Sequence, residues 1–213
     1  MKVKGLLFDL DGVLVSTEKN HFVAWRSTAK LLGIDFTEQD NEHLKGVSRI
    51  DSLKKILVLG NKSIPVQKFD ELLNYKNQFY LNSIKNLSED NLLPGVLNIL
   101  QKAKKINLPL GVGSSSKNAG FILEKLNIRN YFRVVIDGNM VKNLKPSPEV
   151  FISGASALKI RPQDCIVFED ALSGIEAAKK GGFIAVGIGN PSLTSIADMY
   201  FNNLNDFNLT EYV

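Results

Sequence analysis

Carboxylates, a run of serines and two lysines stand beyond short apolar stretches of this 213-residue chain. Asp9-Leu10-Asp11-Gly12 follows residues 4–8, and Ser114-Ser115-Ser116-Lys117-Asn118 follows residues 108–112. Residues 133–136 lead through Asp137-Gly138 to Lys145-Pro146, and residues 165–168 run into Glu169-Asp170. Any one of these reads by itself as a turn or a helix cap. Together the residue types fit phosphate chemistry. Asp9 and Asp170, with Glu169, form a carboxylate set with no histidine or cysteine beside it. Such oxygen-only ligands suit Mg²⁺, which keeps several waters and often holds substrate phosphates. A carboxylate can itself attack phosphorus and form an acyl phosphate. Attack on a phosphate by an anion needs charge neutralisation, which Mg²⁺, Lys145 and the Ser114 hydroxyl would supply. Asp11, two residues beyond Asp9, is placed for general acid/base work on the leaving or attacking oxygen. Gly12 lets the chain turn sharply after it.

Competing chemistries have weak support. Gly111-Val112-Gly113-Ser114-Ser115-Ser116 begins like a dinucleotide-binding glycine loop, but Ser116 replaces the third glycine. Asp137, beyond the following strand, lies 26 residues past Gly111, where about 20 is usual. No P-loop is present, and Ser114 lacks a recognisable histidine–carboxylate pair. The single cysteine, Cys165, excludes an intramolecular disulfide and any multi-cysteine zinc site, and its apolar surroundings predict a buried thiol.

The elements that must position these residues follow from hydrophobic periodicity. Residues 4–8, 108–112, 133–136, 165–168 and 183–188 read as short strands buried on both faces. Helical patterns over 94–106, 119–126, 148–158 and 174–180 separate them, and a short last strand is expected near 199–201. Strands alternating with helices imply right-handed crossovers and a parallel sheet, an α/β fold. Ligands of such sheets bind beyond the carboxyl ends of the strands, where all four polar segments fall. Residues 17–90 show helical periodicity with breaks at Gly33, Gly46-Val47-Ser48, Gly60 and Pro65. That stretch is too long for a loop. We expect a helical domain over 16–91, inserted after the first strand of a core made of 1–15 and 92–213.

Composition narrows the partners. Hydrophobic residues at 44% and charged residues at 23% indicate a globular chain. A net charge of +4 comes without the Lys/Arg run of a nucleic-acid arm, and Lys102-Ala103-Lys104-Lys105 reads as a solvated helix face. No apolar run approaches the roughly 18 residues of a membrane span. The N-terminus starts like a signal peptide, but Asp9 and Asp11 cut the apolar region short. We expect a soluble, cytoplasmic monomer acting on a small molecule, with neither nucleic acid nor membrane as partner.

Phe8-Asp9-Leu10-Asp11-Gly12-Val13-Leu14 is similar to the D-x-D-x-[VT] signature of the haloacid-dehalogenase-like phosphotransferases. The other signatures of that superfamily follow in order: Ser114, Lys145-Pro146 and Glu169-Asp170. The resemblance implies a Rossmann-like core with a helical cap after the first strand. It implies that Asp9 is the phosphorylated nucleophile and Asp11 the general acid/base. Asp9, the Asp11 backbone carbonyl and Asp170 would bind Mg²⁺, with Glu169 close by. Ser114 and Lys145 would hold the transferring phosphoryl group.

Within the inserted segment, Leu44-Lys45-Gly46-Val47-Ser48-Arg49 and Asp51-Ser52-Leu53 resemble the cap of the β-phosphoglucomutase family, as do His21, Trp25 and Lys76-Asn77. The loop Ser114 to Asn118 departs from that family's S-A-S-K-N only at Ser115. The resemblance implies that Arg49 binds the phosphate not being transferred. Ser115, Ser116, Lys117 and Asn118 belong to the region of phosphate and sugar contacts. Gly46, Val47 and Ser52 would line the sugar side, with Lys45 nearby, and Lys76 would reach a sugar hydroxyl. His21 would couple to Asp11, and Thr17 would lie at the hinge. Bland readings stand beside these: a surface arginine for Arg49, a capping histidine for His21, cap packing for Trp25, solvated charges for Lys45 and Lys76. The activity implied is an isomerase interconverting β-glucose 1-phosphate and glucose 6-phosphate through a phospho-aspartate and β-glucose 1,6-bisphosphate. The alternative is a Mg²⁺-dependent sugar-phosphate phosphatase, in which water attacks the same phospho-aspartate.

Overall fold

The computed structural model describes residues 2–44 and 47–213. In chain order the main elements are β1 (Gly5–Phe8), α1 (Glu18–Lys30), α2 (Glu38–Glu42), α3 (Arg49–Leu59), α4 (Val66–Ser83), α5 (Val96–Lys105), β2 (Leu110–Gly113), α6 (Ala119–Lys125), β3 (Val134–Ile136), α7 (Glu149–Leu158), β4 (Cys165–Glu169), α8 (Leu172–Lys180), β5 (Ile184–Ile188) and β6 (Met199–Phe201). They fall into two compact units: residues up to Ser16 together with Leu87–Val213, and Thr17–Asn86.

The first unit is an α/β sheet domain. All six strands pair in parallel, in the order β3-β2-β1-β4-β5-β6. β1 lies between β2 and β4, with Phe8 opposite Val112 on one side and Phe168 on the other. Strands β1, β2 and β4 are buried throughout, which is why they read as unbroken apolar runs. Strand order reverses between β1 and β4, so their carboxyl ends flank a topological switch point, where α/β sheets take their ligands. One face of the sheet packs Leu7, Val167 and Ala185 against Phe151 of α7 and Ile175 and Ala178 of α8. The Cys165 thiol lies in that core, and burial pushes it up to about 12, the inert end of thiol behaviour. Lys102, Lys104 and Lys105 are exposed in the last turn of α5, where cations suit the helix dipole.

The second unit is helical, and among its described residues there is no strand. A reciprocal Thr37–Asp40 capping box starts α2, and the Ser48 hydroxyl accepts the Asp51 N–H to start α3. Its core gathers Trp25 and Ala29 from α1, Leu53, Ile56 and Leu57 from α3, and Leu72 from α4, with Ile34, Phe36 and Leu44. The buried residues of α4 are Leu72, Lys76 and Tyr80, a single i, i+4, i+8 stripe that includes a lysine. No helix among the described residues is long and apolar enough to cross a membrane.

Candidate active site

In the sheet unit, the carboxyl ends of β1 and β4 bring Asp9 and Glu169 to one buried lysine. The Asp9 N–H donates to the Phe168 carbonyl at 2.9 Å, continuing the β1–β4 pairing to the point where the side chain emerges. The Lys145 ammonium donates to Asp9 Oδ1 and to Glu169 Oε1, each at 2.5 Å, and lies 4.6 Å from the Phe151 ring centroid. Glu169 is only 1% exposed. Its other oxygen, Oε2, accepts the N–H groups of Asp170 and Ala171 at the start of α8. Asn190 donates its amide to the Asp170 carbonyl at 3.2 Å.

Asp9, Glu169 and Asp170 each offer a carboxylate oxygen, and the three atoms lie within 4.8 Å of one another. Burial, followed by the charges of its carboxylate neighbours, pushes Asp170 up to about 8. Burial likewise lifts Glu169 to about 7, with Lys145 opposing the shift, and raises Asp9 against the same opposition. Burial disfavours the Lys145 charge, yet Asp9 and Glu169 overcome it and hold the ammonium above its ordinary range. Three carboxylates against one ammonium leave excess negative charge in a buried place. An all-oxygen set with that excess fits a hard divalent cation.

Asp11 lies on the tight loop that follows β1. Gly12 donates its N–H to the Val15 carbonyl at 2.7 Å, and Leu14 and Val15 both donate to Leu10. Gly12 has φ +86°, and a Cβ there would overlap the Asp170 carboxyl group. The glycine thus serves both the left-handed turn and the approach of Asp170. The Asp11 carboxylate is outside the three-residue set; the metal contact the resemblance implies for this residue is through its backbone carbonyl.

After β2, Ser114 is buried, its N–H bound to the Ile136 carbonyl of β3. Its hydroxyl accepts the Ser116 N–H at 3.1 Å, and the Ser116 hydroxyl accepts the Asn118 N–H at 3.2 Å. Asn118 is the N-cap of α6, and Lys117 is exposed. The Ser115 hydroxyl is buried with no hydrogen-bond partner.

The helical unit holds a separate polar group. The Tyr80 hydroxyl donates to the Thr17 hydroxyl at 3.0 Å, and the His21 and Tyr80 rings lie 4.2 Å apart. Lys76 is 3% exposed. Its ammonium lies 2.8 Å from His21 Nδ1 and 4.8 Å from the ring centroids of both Trp25 and Tyr80. Burial, then the charges of Lys76 and Arg49, hold His21 well below the usual imidazole range. A neutral ring facing an ammonium accepts at Nδ1, so its own proton sits on Nε2. Arg49 is the first residue of α3 and half-buried, Ser52 is buried one turn on, and Val47 is half-buried. Trp25 belongs to the apolar core of this unit. Lys45 and Gly46 lie outside the described residues.

Residues 6–188 match the haloacid dehalogenase-like hydrolases. The chain belongs to that family. It is 37% identical over 209 residues to a β-phosphoglucomutase of Bacillus subtilis, covering 97% of this chain and 92% of the relative. It is 34% identical to a phosphorylated carbohydrates phosphatase of Thermotoga maritima, covering 84% of this chain and 82% of the relative. A crystal structure of β-phosphoglucomutase from Clostridium difficile superposes with a TM-score of 0.93 at 36% identity, over 98% of this chain and 95% of that one. The chain is therefore a haloacid dehalogenase-like enzyme of the kind that includes both a mutase and sugar phosphatases.

Tyr80, Asn190 and Phe151 escape a reading of motifs. Tyr80 had a local signal, since it stands four residues from Lys76 on one helix face. Phe151 and Asn190 had none, because the contacts that matter cross the fold.

Proposed function

We propose that the protein is a β-phosphoglucomutase, converting β-glucose 1-phosphate to glucose 6-phosphate. The observation that carries the chemistry is the Lys145 ammonium shared by Asp9 and Glu169 beside Asp170. An ammonium there orients the Asp9 carboxylate and offers positive charge to incoming phosphoryl oxygens. In this reading the enzyme is primed when an Asp9 oxygen attacks a phosphorus of β-glucose 1,6-bisphosphate, the bond from phosphorus to the sugar oxygen breaks, Asp11 gives that oxygen a proton, and the sugar monophosphate leaves. In the second half, a sugar hydroxyl passes its proton to Asp11 and takes the phosphoryl group from Asp9. The sugar bisphosphate reorients, and Asp9 accepts the group from its other end. Ser114 and Lys145 hold the phosphoryl oxygens throughout. Asp9, the Asp11 carbonyl and Asp170, with Glu169, would hold Mg²⁺. When bound, Mg²⁺ supplies the charge neutralisation that lets a carboxylate attack a phosphate.

Mutase rather than phosphatase is favoured by the helical unit. A phosphatase has to hold only the phosphate it cleaves, whereas a mutase must also hold a second one. Arg49, with Lys76 and neutral His21, provides a half-buried guanidinium suited to bidentate phosphate binding. The similarity to the B. subtilis β-phosphoglucomutase supports the same choice. The phosphatase is the second reading, supported by the T. maritima relative. An assay with β-glucose 1-phosphate, Mg²⁺ and a trace of β-glucose 1,6-bisphosphate separates them. The mutase yields glucose 6-phosphate with little free phosphate; stoichiometric phosphate release would establish the phosphatase.

A further inference from the structure

We propose that Gly174 is a positioning residue for the lysine–carboxylate array, because its missing side chain is the space the Glu169 carboxylate occupies. The kinetic consequence rests on the reading of Asp9 as phosphoryl acceptor; the geometry does not. Gly174 is the third residue of α8, and its φ is not in the left-handed region. Helix propensity alone favours alanine at such a place. A Cβ there would overlap the carboxylate carbon and both oxygens of Glu169. That carboxylate is fully committed: Oε1 accepts from Lys145, and Oε2 accepts from the N–H groups of Asp170 and Ala171. Any side chain at 174 must displace it. Lys145 then loses one of its two anionic partners, and its ammonium is no longer held midway between Glu169 and Asp9. Gly12 clears space for Asp170 in a similar way, but at φ +86° a substitution there adds backbone strain. Gly174 isolates the placement of the carboxylate from strain.

The test is a double-mutant cycle of Gly174→Ala and Glu169→Ala, read by thermal unfolding and by single-turnover transfer to Asp9 from β-glucose 1,6-bisphosphate. In the native background Gly174→Ala should lower the melting temperature. In the Glu169→Ala background the clash is gone, and the same change should leave the temperature unchanged or raise it. Gly174→Ala alone should slow transfer about tenfold or more with sugar-phosphate KM little changed. In the double variant it should add less than about twofold to the loss caused by Glu169→Ala. If Gly174→Ala alone does not fold but the double variant does, the clash with Glu169 is established. The proposal is overturned if the double variant also fails to fold, if the melting shift is the same in both backgrounds, or if the kinetic losses multiply. Should the native enzyme show no transfer at all, the proposed function fails while the melting arm still decides this one.

Discussion

Divalent-cation binding should be strongly pH-dependent, with a size set by where Glu169 and Asp170 titrate. They do so at about 7 and about 8, because burial and neighbouring carboxylates disfavour their charged forms. Below those values the metal-free protein keeps protons on the groups that a cation needs ionised, so binding must expel them. Lowering the pH from 8 to 6 should weaken apparent Mg²⁺ affinity by about tenfold or more, as the cation must expel protons from this mutually interacting set. Titration calorimetry at pH 6, 7 and 8, in buffers of different ionisation enthalpy, reads both the affinity and the protons released. The same groups fix the sign of the stability profile. Their folded values lie above the unfolded ones, so the metal-free native chain binds more protons than the unfolded chain. Their contribution is fully present below about pH 4 and is lost as pH rises through 7 and 8. Saturating Mg²⁺ should flatten that slope, since the cation takes the place of the protons. An affinity constant from pH 6 to 8, with no proton released, would refute the charge-balance argument.

Three substitutions probe the remaining roles. Asp9→Asn should abolish turnover while the melting transition stays cooperative, because the amide keeps the shape and Lys145 keeps Glu169, but the nucleophile is gone; steady-state assay and calorimetry check this. Asp11→Asn should slow single-turnover transfer by about 10²–10⁴-fold with much less effect on sugar-phosphate binding. Arg49→Ala removes a charged hydrogen bond of about 1.5–3 kcal/mol. It should therefore lower mutase efficiency by roughly 10–100-fold. Phosphate release should rise relative to isomerisation, as a coupled assay for both products would show.

Much of this architecture was legible because β1, β2 and β4 are buried on both faces, which leaves an unmistakable apolar run ending in a polar residue. Asp9, Ser114 and Glu169 could be picked out on that basis. Element ends were less legible, for local reasons. α5 begins at Val96 rather than Pro94 because Gly95, at φ +88°, is its N-cap. β2 begins at Leu110 rather than Leu108 because the Leu108 N–H closes α5 on the Ala103 carbonyl. α8 begins at Leu172, whose 54% exposure hides it from a periodicity argument. The helical unit was expected over 16–91, whereas the contacts part at Thr17 and Asn86. Leu92 bridges Val15, and Leu93 donates to the Leu14 carbonyl, tying this stretch back to the sheet unit. Such pairing across the length of an inserted unit leaves no local trace. The bond from Lys145 to Asp9 spans 136 residues and was available only through the family resemblance. Lys76 is buried against His21, Trp25 and Tyr80, contacts that its reading as a solvated charge did not anticipate.

In the proposed mechanism Asp9 carries the phosphoryl group between the two ends of the sugar. The most direct measurement mixes the enzyme with β-glucose 1,6-bisphosphate and Mg²⁺, quenches in acid within the first turnover, and maps the modified peptide by mass spectrometry. A phosphoryl group on Asp9 should form and decay at rates matching turnover and be absent in Asp9→Asn. A phosphoryl group found on another residue, or turnover with Asp9 unmodified at every time point, would contradict that mechanism.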